Sequence, residues 1–178
     1  MTAPEFSRAV RIDTIGVEPR HMAIEAEPEE LAALSRRFGL VAIDRLAAEA
    51  DIARKQGAAV VARGRVTAAV TQSCVASGEP VEAAIDEPFE VEFRPTPAAD
   101  ADDEIELGQS ELDVVFFDGG VIDLGEAVAE TVALALDPYP RAPGAAEALK
   151  AAGVKSEEEA GPFGALAGLR DKMKGSEG

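Results

Sequence analysis

Residues 60–93 read VVARGRVTAAVTQSCVASGEPVEAAIDEPFEVEF. Val60, Ala62, Gly64, Val66, Ala68 and Val70 share one parity, and Val61, Arg63, Arg65, Thr67, Ala69 and Thr71 share the other. Successive side chains of a strand point to opposite faces, so this period of two predicts a strand, bent at Gly64. Ser77-Gly78-Glu79-Pro80 supplies turn chemistry. Beyond it Val81, Ala83, Ile85, Phe89, Val91 and Phe93 return to one parity, while Glu82, Asp86, Glu90 and Glu92 take the other. The second arm therefore has a dry face and an acidic wet face. The two arms are expected to pair as an antiparallel hairpin.

Toward the N-terminus, Phe6 to Ile12 fits a first strand with Phe6, Val10 and Ile12 on one side. His21 to Ala26 alternates, with Met22, Ile24 and Ala26 together. Pro28 opens a short helix: Pro suits the first turn, Glu29 and Glu30 suit the positive end of the dipole, and Gly39 can end it in the left-handed conformation. Leu31, Leu34 and Phe38 are its apolar stripe. Residues 40–56 suit a helix by composition and a strand by the alternation of Leu46, Ala48, Ala50 and Ile52; the alternation favours a strand over Arg45 to Lys55.

Toward the C-terminus, Pro95 to Glu111 is an acidic, aperiodic stretch expected to be a mobile loop. Leu112 to Phe117 reads as another strand, closed by Asp118-Gly119-Gly120. A helix follows, with Asp123 as N-cap, Glu126 as its capping-box partner, and Leu124, Ala127, Val128, Thr131, Val132, Ala135 and Leu136 on its apolar face. Pro138 and Pro140 stop it. Arg141 to Gly161 reads as a flexible linker. Phe163, Leu166, Leu169 and Met173 then fall on one side of a short helical tail, with Arg170, Lys172 and Lys174 near its end. The domain reading is an α+β domain over 1–140, a linker over 141–161 and the tail over 162–178. Its core is a twisted antiparallel sheet, open or curled toward a barrel, with one long helix.

Charge location is informative. The net charge is −17. Residues 1–65 carry ten basic and ten acidic side chains, while residues 66–149 carry two basic residues, Arg94 and Arg141, against nineteen acidic ones. Such a middle repels phosphate backbones, because non-specific nucleic-acid affinity comes from Lys and Arg displacing counterions. It suits a basic protein partner, or solubility alone. Cys74 is the only cysteine, so no internal disulfide forms. No apolar run has the length of a signal peptide or a membrane span, so a soluble cytoplasmic protein is expected.

Catalytic constellations are missing from the pattern. His21 is the only histidine and has no nucleophile motif near it. Asp100, Asp102, Asp103, Glu104 and Glu106 lack the spacing of a calcium loop and read as a solvated loop. No glycine pair leads into a phosphate-binding Lys and Ser or Thr. No enzyme, catalytic residue, cofactor or metal is expected.

VTQSCVASGEPVEAAIDEPFEVEFRP (70–95), LDVVFFDGGVIDLGEAVAETVALALDPYP (112–140) and GPFGALAGL (161–169) resemble, in order, segments of the bacterial YceD family. The resemblance implies a non-enzymatic factor in accumulation of large-subunit ribosomal RNA, with a large-subunit precursor or basic ribosomal protein as partner. The alternative is an acidic adaptor or holding chaperone for a basic protein, without RNA contact. Many members carry Cys-x-x-Cys at this turn; here it reads Cys74-Val75-Ala76-Ser77, and one thiolate cannot anchor a structural zinc. Cys74 is then expected to be a small buried residue. Candidate partner-binding residues are Phe163, Leu166, Leu169, Arg170, Lys172 and Met173 in the tail, with Arg63 and Arg65 in the first arm. A tail that merely caps a sheet edge is the rival to a recognition helix.

Overall fold

The computed structural model describes residues 4–55, 58–97 and 113–154. Among them the order is β1 (Ala9–Arg11), a 3-10 turn (Ile12–Thr14), β2 (Arg20–Glu25), α1 (Pro28–Phe38), β3 (Ala42–Arg54), β4 (Val60–Ser73), β5 (Pro80–Pro95), β6 (Asp113–Phe117), β7 (Val121–Asp123), α2 (Leu124–Ala135) and α3 (Ala145–Ala151). The chain forms two compact units. Of the described residues, the larger takes those up to 72 and from 82 to 138, and the smaller takes 73–81 and 139–154.

In the larger unit β2-β3-β4-β5-β6 form one sheet and β1-β7 a two-stranded ribbon. Burial follows most of the alternation read from the sequence, with Val61 and Glu92 buried on the opposite parity. Val60, Ala62, Val66, Ala68 and Val70 are buried on β4, and Ile85, Phe89, Val91 and Phe93 on β5. They join Leu34 of α1, Leu46 and Ile52 of β3, and Val128 and Val132 of α2 in one core. Many of its members are alanine, so backbones approach closely. Gly64 shows this: a Cβ there would lie 2.1 Å from the Glu49 carbonyl oxygen on β3. Gly125 shows it again, since a Cβ there would lie 2.3 Å from the Phe6 carbonyl oxygen.

The helix boundaries follow their signals. Pro28 starts α1, and Gly39 ends it at φ 66°. Its N-cap is Glu27, whose backbone N–H donates to Glu30 at 2.8 Å in a reciprocal capping box. Asp123 caps α2, accepting from the Glu126 N–H at 3.2 Å and from the Arg8 N–H at 2.8 Å. The Glu126 carboxylate does not complete a capping box, because Arg37 of α1 claims it at 2.6 Å.

Several expectations need correction. The sheet is mixed, because β5 and β6 run parallel, Val91 facing Asp113 through Pro95 facing Phe117. Residues 96–112 are long enough for the crossover that parallel neighbours require. The sheet is open, with β2 and β6 at its two edges, and does not close into a barrel. The helix read over Asp123 to Leu136 is α2, of 12 residues, and among the described residues it is little longer than α1, of 11. Only Ala9–Arg11 of the first predicted strand is extended, and it pairs with β7, not with the main sheet. The ambiguous stretch is a strand, β3, beginning three residues before Arg45. The described part of the stretch read as a linker contains α3. The acidic loop beyond Pro97 and the tail over 162–178 lie outside the described residues.

Candidate functional site

The turn between β4 and β5 is built around Cys74. Its N–H donates to the Glu79 carbonyl at 2.8 Å, and its carbonyl accepts from the Gly78 N–H at 2.9 Å. Gly78 has φ 74°, which a side chain would disfavour. The Val75 N–H donates to the Pro140 carbonyl at 2.9 Å, tying the turn to the segment after α2. Cys74 is buried with Ala142 and Ala145, as expected. Its thiol is held down to about 7, first by hydrogen bonding with the Ser77 hydroxyl and then by the backbone of Ala142, with burial opposing. That hydroxyl is shared with the Glu79 carboxylate, 3.0 Å away. The C-x-x-S spacing therefore brings Cys74 and Ser77 together, a contact the sequence reading missed by treating Ser77 only as a lost ligand. Among the described residues no three His, Cys, Asp or Glu side chains gather as a metal ligand set.

Arg63 and Arg65 project from the wet face of β4, and the structure surrounds both with carboxylates. Arg63 faces Asp51 of β3 in register and pairs with Glu90 of β5 at 2.5 Å. Arg65 faces Glu49 and pairs with Asp86 at 2.5 Å. The first row extends to β2, where His21 Nδ1 lies 3.2 Å from Asp51 and stands opposite it. The wet face thus alternates in sign across the strands, and opposite charges in adjacent strands stabilise the sheet modestly. These arginines are partners of their neighbours before they are partners of anything else.

Glu92 departs from the acidic wet face. It is buried, 2.5 Å from Arg94 Nε and 3.4 Å from Lys55 Nζ. The Arg94 hydrogen bond is the main cause holding its carboxyl below the usual range, against burial, with Lys55 adding to it. Phe163, Leu166, Leu169, Arg170, Lys172 and Met173 lie outside the described residues.

The model of a protein family described as large ribosomal RNA subunit accumulation protein YceD matches residues 62–170. This chain belongs to the YceD family. No curated protein and no solved structure matches it. The YceD match covers β4 from its third residue, β5, β6, β7, α2 and α3, and so includes Arg63, Arg65 and the Cys74 turn. It also takes in all three stretches that carry the resemblance in the sequence. The N-terminal strands β1 to β3 and α1 precede it.

Proposed function

We propose that this YceD protein supports accumulation of large-subunit ribosomal RNA as a non-enzymatic assembly factor that engages a basic protein of the large-subunit precursor. Membership of the family carries the reading, with matched residues 62–170 spanning most of the sheet and α2. The charge arrangement supports a protein partner over bare RNA. Arg63 and Arg65 are each committed to a carboxylate, and the middle of the chain holds nineteen acidic side chains against two basic ones. Phosphates gain little from such a surface. The absence of catalysis is supported by His21, the only histidine, which stands exposed and paired with Asp51.

Depletion of the protein in its host tests this. The expected outcome is a fall in large-subunit relative to small-subunit ribosomal RNA, with large-subunit precursors accumulating on a sucrose gradient. An unchanged ratio would refute the reading. An acidic adaptor that never meets the precursor is the second reading, favoured by the same paired arginines. It predicts co-purification with a basic protein at low salt from fractions free of ribosomal RNA.

A further inference from the structure

Several carboxylates of the larger unit are neutralised where they stand. Glu30 pairs with Arg8, Glu126 with Arg37, Glu25 with Arg45, Asp86 with Arg65 and Glu90 with Arg63. Asp44 and Glu82 have no ion-pair partner among the described residues, yet they line the same hollow of about 330 Å³. Ala69, Val70, Ala83 and Ala84 complete its lining, with no cation.

The sequence explains how Asp44 comes to be there. Ile43 pairs with Val70 and Arg45 with Ala69, so Asp44 is the extra residue of a β-bulge. A bulge re-aims a side chain and interrupts pairing. Here it leaves a carboxylate beside short side chains that cannot answer its charge. A lysine or arginine can: its methylene stem suits the alanines while its charged head group is drawn by the two carboxylates that line the same hollow.

Asp44 also lines a second hollow, of about 520 Å³, between α1 and the start of β3. Leu31, Leu40 and Val41 are part of its apolar lining, and its charged members are Arg36 and Asp44. Val41 is 59% exposed, so a large apolar side chain stands uncovered there. The two hollows share Asp44, one acidic and one mainly apolar.

The geometry points to a docking surface for a short segment of a basic protein, with a lysine or arginine between Asp44 and Glu82 and a neighbouring large apolar side chain against Leu31, Leu40 and Val41. The partner's origin, a protein of the large-subunit precursor, rests on the assembly reading above; the chemistry of the surface rests on its own residues. RNA does not fit the first hollow, since its phosphates would meet the carboxylates of Asp44 and Glu82, and the second offers phosphate a single cation, Arg36, beside Asp44.

The test uses the purified full-length chain and short fluorescent peptides of alternating Lys and Leu, alternating Lys and Ser, and alternating Glu and Leu, with a single-stranded RNA for comparison. Fluorescence anisotropy should rank the Lys/Leu peptide first, the Lys/Ser peptide weaker, and the Glu/Leu peptide and the RNA as non-binders. Amide chemical shifts should move at residues 41–44, 69 and 82–84 when the Lys/Leu peptide binds. D44K/E82K should weaken that peptide by about tenfold or more, while E18K/E130K, an equal change in net charge outside both hollows, should change it by less than about twofold. If D44K/E82K fails to fold, D44N/E82Q replaces it with the same ranking expected. Equal losses in both charge swaps, equal binding of the Lys/Ser peptide, or RNA moving the same amides would each overturn the surface. These measurements need no ribosome, so the surface can fail while the depletion result stands, and the reverse.

Discussion

Cys74 holds a thiol under two opposing influences. Burial favours the neutral form, whereas the Ser77 hydroxyl and the surrounding backbone favour the thiolate, and the result is a value of about 7. The sign for stability follows from that depression. The folded state prefers the thiolate, so this contribution is fully present above the ordinary thiol value and is lost as pH falls through about 7. Thiolate absorbance should titrate near that value, and Ser77→Ala should move the midpoint upward. The stability gap between the wild type and Cys74→Ser should widen as pH rises from about 7 to about 9. A midpoint at the ordinary thiol value, unmoved by Ser77→Ala, would contradict this account. Burial of Cys74 was legible in the sequence because it follows an apolar strand. The hydroxyl contact was not, because it depends on how Gly78 folds the turn back.

At the scale of elements, Gly64 shows what alternation encodes and what it leaves out. Its parity places it on the dry face of β4, and a glycine inside a strand suggests a bend. The reason for it lies on the other strand: Gly64 stands opposite Ala50, and the atom nearest a Cβ at this position would be the Glu49 carbonyl oxygen at 2.1 Å. Gly64→Ala should therefore destabilise by about 1–3 kcal/mol in urea unfolding, as overpacking does, despite the lower entropic cost of alanine. Adding Ala50→Gly should not restore stability, because the obstructing atom belongs to the backbone. Full rescue by that second change would show that side-chain crowding, not the carbonyl, is responsible. The same limit explains the other departures. The β4 and β5 arms, α1 and α2 were readable because periodicity and caps are local. Parallel pairing of β6 was not, since the alternation of a strand is the same whichever way its neighbour runs. Nor was α3, whose Ala- and Glu-rich sequence reads as loose until Ala142 and Ala145 are seen buried with Cys74.

Across the whole molecule, charge is organised more finely than the net of −17 suggests. The sequence correctly located the acidic middle, but it could not show that Arg63 and Arg65 stand in rows between carboxylates of β3 and β5. That arrangement sets an expectation for RNA binding. A guanidinium bound to a carboxylate releases few counterions from a phosphate backbone, whereas an unpaired one releases nearly one. Bare large-subunit RNA should therefore bind weakly at physiological salt. R63A/R65A should leave the salt dependence of that binding nearly unchanged. D86N/E90Q, which removes the charges paired with both guanidiniums at 2.5 Å, should strengthen binding and steepen the slope of log K against log salt by up to about 2. Anisotropy titrations of one RNA fragment across a salt series compare the three proteins. If the wild type binds tightly and R63A/R65A abolishes that binding, the arginines serve phosphates in spite of their neighbours, and a protein partner loses its electrostatic preference over RNA.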